Sequence, residues 1–166
     1  LKGGDPFIFG RGGEEMENLR AEGIKVEVIN GITSGLAAGS ALGIPLTHRK
    51  QAHGVILITG HNKPGDNATD WAVLARAAAR CKLTLVIYMG MTNIKTLEEG
   101  LIEGLQPETP AAVVQRATLP DQAQVICTLG TLSETVRDRG IQSPGIIIVG
   151  AVVTSACIEK IISQHE

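Results

Sequence analysis

Three runs of apolar, largely β-branched residues constrain this chain more than anything else in it: GVILIT at Gly54–Thr59, LTLVIYM at Leu83–Met89 and GIIIVGAVV at Gly145–Val153. Each is too short for a helix and has no polar alternation, which is the pattern of a strand buried on both faces. Helical stretches lie between them. One, opened by Thr69 or Asp70, runs through about Arg80. A second, from about Asn93 to Glu103, carries Leu97, Leu101 and Ile102 on one face, and a third spans Thr131–Arg139. Two further strands are expected at Ala111–Arg116 and Gln124–Thr128, and a short tail helix at Ile158–Ser163. Buried strands alternating with helices specify an α/β fold on a mainly parallel or mixed sheet.

The first 47 residues read differently. A glycine-rich opening, LKGGDPFIFGRGGEE, leads into a short helix at Glu14–Glu22 that ends at Gly23. IKVEVI at Ile24–Ile29 alternates apolar and polar residues and predicts a strand. An Asn30-Gly31 turn and an Ala/Gly-rich helix to about Leu42 follow, with Thr33 or Ser34 as its cap. GIPLTHRKQ at Gly43–Gln51 is the linker candidate. It divides the chain into residues 1–47, part of a first α/β domain, and residues 48–166, a second one. Residues 1–47 hold a single expected strand, so they need further chain or a second subunit to complete a sheet.

Composition excludes several functions. Aromatic residues make up 2% of the chain (Phe7, Phe9, Trp71 and Tyr88), too few for a base-stacking surface. Net charge is −2, so no basic field attracts nucleic acid. No apolar run approaches the roughly 20 residues of a membrane span. Cys81, Cys127 and Cys157 are widely spaced and odd in number. They read as buried free thiols of a reducing, cytoplasmic compartment rather than as disulfides or metal ligands, and the four histidines add no ligand spacing.

The motifs are individually ambiguous. Gly3-Gly4-Asp5-Pro6 is a turn, or a loop whose backbone approaches a ligand while Asp5 accepts hydrogen bonds from a hydroxyl or amine. Gly10-Arg11-Gly12-Gly13 matches neither the dinucleotide fingerprint nor a P-loop. Thr33 and Ser34 cap a helix, or offer hydroxyl and N–H groups to a ligand. Met89 is core, or packs on a flat ring at a strand end, where α/β proteins bind ligands. His48, Arg49 and Lys50 read as a solvated linker.

Taken in order, LKGGDPFIFGRGGEE, INGITSGLAA, GIPLTHR, LVIYMGM, VVQRATLPDQ and SPGIIIVGAVV resemble the uroporphyrinogen-III C-methyltransferase branch of the tetrapyrrole methylases, over essentially the whole chain. The resemblance implies two unlike α/β domains, here with the first incomplete, and S-adenosyl-L-methionine held between them. It implies two methyl transfers to uroporphyrinogen III, giving precorrin-2 for sirohaem or cobalamin synthesis and releasing S-adenosyl-L-homocysteine. It carries cofactor contacts onto Gly3, Gly4, Asp5, Ile8, Thr33, Ser34, Met89 and Ala117, the last through its backbone, where some relatives have Gly. Arg11 and Arg49 are the candidates for the carboxylate-rich tetrapyrrole substrate. No metal is implied, and a homodimer is. The family's proposed acid and base lie upstream of the GGDP loop and have no counterpart here, so weak cofactor binding without turnover is expected of these 166 residues. A precorrin methylase of the same fold and a non-catalytic truncated dimer are the competing readings; GRGGEE argues against the former.

Overall fold

The computed structural model describes residues 2–61 and 68–156. The tail helix expected at Ile158–Ser163, and Cys157, lie outside the described residues.

Five strands form one mixed sheet: β1 (Gly54–Thr59), β2 (Leu83–Tyr88), β3 (Pro110–Gln115), β4 (Ala123–Thr128) and β5 (Gly145–Val149), in the order β1-β2-β5-β3-β4. Only β1 and β2 pair in parallel; the other three pairings are antiparallel. The sheet is therefore mixed, not mainly parallel. The three central strands, β2, β5 and β3, are buried on both faces. β1 has the apolar sequence of such a strand but lies at an edge, and every residue of it is half-buried. Strand composition reports burial by helices above and below, and does not tell an edge from a centre.

The pleat sorts the core into two layers. Leu85, Ile87, Val113, Ile147 and Val149 point to one face, which α3 (Trp71–Cys81), α4 (Ile94–Ile102) and α5 (Leu132–Asp138) cover through Ala75, Ala78, Leu97, Leu101, Leu132 and Val136. Val86, Tyr88, Val114, Ile146 and Ile148 point to the other. There they meet Ala38 and Leu42 of α2 (Ser34–Leu42), Ile44 and Ala52 of the following turn, and Val152 and Val153. The small residues of α2 let it lie close to the sheet. Asp70 caps α3 by accepting from the Val73 N–H at 2.9 Å. The start of α5 is capped in trans: Glu98 Oε2 on α4 accepts the Ser133 N–H at 2.6 Å.

Three expectations are corrected. IKVEVI forms no strand: residues 24–33 are irregular, and Ile29 is 80% exposed. Alternation supplies a β tendency, but a strand also needs a hydrogen-bonded neighbour, and none pairs with this segment among the described residues. The third apolar run stops short at Val149, because Gly150 takes φ 146°, closed to other residues, and turns the chain into a 3₁₀ turn at Ala151–Ser155. Cys81 is exposed at the end of α3 rather than buried. The GIPLTHRKQ segment is a built turn: His48 and Ala52 exchange backbone hydrogen bonds at 2.8 and 2.9 Å. α1 (Gly12–Ala21) precedes the other helices, and among the described residues no helix is long and apolar enough to cross a membrane.

Candidate functional site

One edge of the sheet gathers chain ends. β1, β2 and β3 finish there and β5, running the other way, begins there. Against that edge lie the glycine-rich loop of residues 3–10 and the start of α2, and between them opens a cleft of about 740 Å³. The loop contributes Gly3, Gly4, Asp5, Ile8 and Phe9; the approach to α2 gives Ile32, Thr33 and Ser34. His61, Met89, Met91 and Thr92 follow β1 and β2. Arg116, Ala117 and Thr118 follow β3, and Ser143–Ile146 lead into β5.

All eight residues singled out as cofactor contacts (Gly3, Gly4, Asp5, Ile8, Thr33, Ser34, Met89 and Ala117) line this cleft. They come from four segments spread over 115 positions of sequence, which only the fold brings together. The two arginines do not join them. Arg11 stands at the start of α1, its side chain 82% exposed and paired with Glu14 Oε1 at 3.4 Å. Arg49 is exposed in the turn between His48 and Ala52. The cation that does line the cleft is Arg116.

The polar groups nearest the cleft are used mostly to shape it. Asp5 Oδ1 accepts the N–H groups of Phe7 (2.8 Å) and Ile8 (3.1 Å), and its Oδ2 accepts the N–H of Gly31 (3.3 Å). The carboxylate thus folds its own loop and ties it to the segment before α2. Gly31 is required at that junction, since a Cβ there would collide with the Gly4 carbonyl oxygen. The Tyr88 hydroxyl, at the end of β2, accepts the Gly35 N–H at 2.9 Å and shares a hydrogen bond with Thr33 Oγ1 at 2.8 Å. Thr33 is buried, and its hydroxyl faces Tyr88 rather than capping α2. Phe9 packs its ring on Tyr88 with centroids 4.6 Å apart. Loop, helix and sheet are thereby fixed to one another.

Backbone strain concentrates here too. Phe9, Met89, Arg116 and Thr118 take left-handed φ values of 55°, 54°, 49° and 68°, and all four line the cleft. Such values cost non-glycine residues energy and persist where surrounding contacts impose them, which is common at binding sites. At Met89 the twist ends β2 and leaves the side chain half exposed rather than in the core. After β3, the Arg116 N–H donates to the Pro144 carbonyl (3.1 Å), the Thr118 N–H to Gln122 Oε1 (2.7 Å), and Arg116 Nε to Asp121 Oδ2 (3.0 Å).

Tyr88, Phe9 and Arg116 escaped sequence reasoning. The scarcity of aromatics was the available signal: two of the four meet at this cleft. Cys127 lies outside it. Burial pushes its thiol up to about 11, opposed by hydrogen bonds from Thr135 and Thr131. Among the described residues no group of His, Cys, Asp and Glu is arranged to hold a metal ion.

Comparison with known proteins places this architecture. Residues 1–133 match the family model of the tetrapyrrole (corrin/porphyrin) methylases. The chain is 48% identical over 155 residues to the uroporphyrinogen-III C-methyltransferase of Bacillus subtilis, covering 92% of this chain and 59% of that protein. It is 49% identical over 154 residues to the sirohaem synthase of Nitrosospira multiformis, covering 92% of this chain and 32% of that one. The crystal structure of a Thermus thermophilus uroporphyrin-III C-methyltransferase complexed with S-adenosylhomocysteine superposes with a TM-score of 0.77 at 37% identity, over 93% of this chain and 65% of that one. The chain therefore spans well under two thirds of the length of these curated relatives. With the family model matched over most of its length, the chain belongs to the tetrapyrrole methylase family.

Proposed function

We propose that this chain supplies the S-adenosylmethionine cleft and second α/β domain of a uroporphyrinogen-III C-methyltransferase. The observation that carries the reading is the convergence of eight cofactor positions, from four separate segments, on one cleft. Its volume lies within the range of about 300–1,000 Å³ usual for small-molecule sites.

The residues present fit the cofactor. Gly3 lines the cleft, and nothing stands within 4 Å of where its Cβ would be, which leaves room for a ligand. Ile8, Phe9, Met89 and Ile146 offer apolar surface to a purine, while Ser34 at the start of α2 offers a hydroxyl beside the positive end of the helix dipole. When bound, the cofactor supplies a methyl group already activated on a sulfonium. The task of the protein is positional: to hold that methyl in line with an electron-rich pyrrole carbon and to exclude water. Asp5 and Tyr88 serve it by fixing the loop and α2 against the sheet.

Calorimetric titration of S-adenosylhomocysteine into the 166-residue chain tests the reading. Saturable binding, lost in Gly3→Val, is expected; no saturation at millimolar ligand, or equal affinity in the variant, sinks it. Labelled methyl transfer to uroporphyrinogen III by these 166 residues alone is expected to be undetectable; robust turnover would show that the catalytic groups lie within them.

The same reading includes a homodimer in the cytoplasm and a division at residues 1–47 and 48–166. The exposed Ile24, Val28, Ile29 and Ile32 support self-association, and light scattering at 17.4 kDa would refute it. The exposed free thiol of Cys81 suits a reducing compartment. Limited proteolysis at the exposed residues 47–50, ahead of any cut within β2, is the mark of the division.

A further inference from the structure

The cleft contains four titratable side chains among the described residues: Asp5, His61, Tyr88 and Arg116. Asp5 and Tyr88 spend their polar atoms on backbone and hydroxyl partners of the protein itself. Arg116 is the one permanent cation of the set. It is held from several sides: its N–H by Pro144, its carbonyl by the Leu119 N–H at 3.0 Å, and its guanidinium by Asp121 through Nε at 3.0 Å. That single contact at Nε leaves the terminal nitrogens of the fork, with their paired N–H groups, able to receive a second carboxylate end-on. Thr118, two residues on, and Ser143, next to Pro144, line the same end of the cleft with hydroxyls that have no hydrogen-bond partner among the described residues.

Resting on the reading given above, we propose that Arg116, with the hydroxyls of Thr118 and Ser143, forms a carboxylate-binding site for an acidic side arm of the tetrapyrrole substrate. The chemistry selects the ligand. A fixed guanidinium flanked by two hydroxyl donors recognises an oxyanion, and a uroporphyrinogen carries an acetate and a propionate on every ring. Asp121 acts as a positioning residue. It fixes the fork by one edge and leaves the other to the ligand. The left-handed φ of 49° at Arg116 and 68° at Thr118 belongs to this device, because it turns both residues out of the strand direction of β3 at the rim of the cleft.

The test uses the 166-residue chain and uroporphyrin III, the stable oxidised macrocycle with the same side arms, titrated by absorbance with and without S-adenosylhomocysteine. Arg116→Gln is expected to weaken porphyrin binding about tenfold, the effect of one charge-assisted contact at a partly exposed site. It should flatten the salt dependence and leave S-adenosylhomocysteine affinity within about twofold, since the lost charge faces the porphyrin. Arg116→Asn, which tolerates left-handed φ, repeats the measurement should the Gln variant fold poorly. Arg137→Gln removes an equal charge from α5 and should change nothing. Four results overturn the site: wild-type chain that does not bind the porphyrin, Arg116 variants that bind it normally, equal loss of the nucleoside ligand, or an equal effect of Arg137→Gln. Failure of the wild type to bind S-adenosylhomocysteine, with porphyrin binding intact, instead sinks the methyltransferase reading alone.

Discussion

Replacing Tyr88 by Phe removes one oxygen atom and leaves the ring in place, against Phe9 and within the α2-facing core. That atom holds two buried groups: the Gly35 N–H at 2.9 Å and the Thr33 hydroxyl at 2.8 Å. Neither has water at hand, since Thr33 is 4% and Tyr88 5% exposed. A hydrogen bond contributes about 1 kcal/mol net, and a buried donor left unmade costs about 1–3 kcal/mol. Losing both bonds while orphaning the Gly35 N–H should therefore cost about 2–3 kcal/mol. For a domain of this size that is a fall in Tm of roughly 4–12 °C. Thr33→Val breaks one of the two bonds and leaves Gly35 paired, so it should cost about 1 kcal/mol. Urea unfolding followed by circular dichroism measures both. The ligand arm matters equally: Thr33 and Ser34 lose their anchor to the sheet, so S-adenosylhomocysteine should bind Tyr88→Phe more weakly. A Tyr88→Phe penalty below about 0.5 kcal/mol, or one no larger than that of Thr33→Val, would show that the hydroxyl does not join α2 to β2 as described.

Three further expectations follow from other contacts. Asp5→Ala frees the N–H groups of Phe7, Ile8 and Gly31 together and should lower S-adenosylhomocysteine affinity by about tenfold or more, with Asp5→Asn in between; calorimetry that finds Asp5→Ala at wild-type affinity rules this out. Gly31→Ala should separate the two loops by pushing its Cβ against the Gly4 carbonyl, again costing affinity while the sheet's own melting transition stays within a few degrees of wild type. Cys127 should resist iodoacetamide at pH 8 while Cys81 reacts, as read by site-resolved mass spectrometry; equal labelling would contradict the burial of Cys127. The same thiol has a sign in stability. Its folded pKa of about 11 lies above the ordinary 9.0, so the unfolded chain ionises first, and stability present below pH 9 should decline from there to about pH 11.

The strands and helices of residues 54–149 were legible because their signals are local. Apolar runs of five or six residues, Asp70 ahead of α3, and the Leu97–Leu101 spacing each act within a few positions. IKVEVI carried an equally clear local signal and failed, since pairing depends on what lies beside a segment rather than within it. Edge and centre were hidden for the same reason: GVILIT and GIIIV read alike, yet one borders the sheet and the other divides it. At the cleft, the positions carried over from resemblance converged, whereas Arg11 and Arg49, chosen for charge alone, did not. Arg116 was passed over because a left-handed φ has no local signature in VVQRATLPDQ; the backbone N–H that it turns is held by the Pro144 carbonyl, far along the chain.

The way Asp5 is bonded has a bearing on how this site would tolerate change. Its carboxylate faces inward to three backbone donors, so the outline of the cleft is set by residues that need never touch a ligand. Gly31, Asp121 and Gln122 stand outside the lining of the cleft yet bear on where Gly4, Arg116 and Thr118 stand. Alanine scanning confined to the surface of the cavity would miss them. A randomised library selected for altered ligand preference should enrich at this supporting layer at least as often as at the lining itself, much as a lens is refocused by moving its mount.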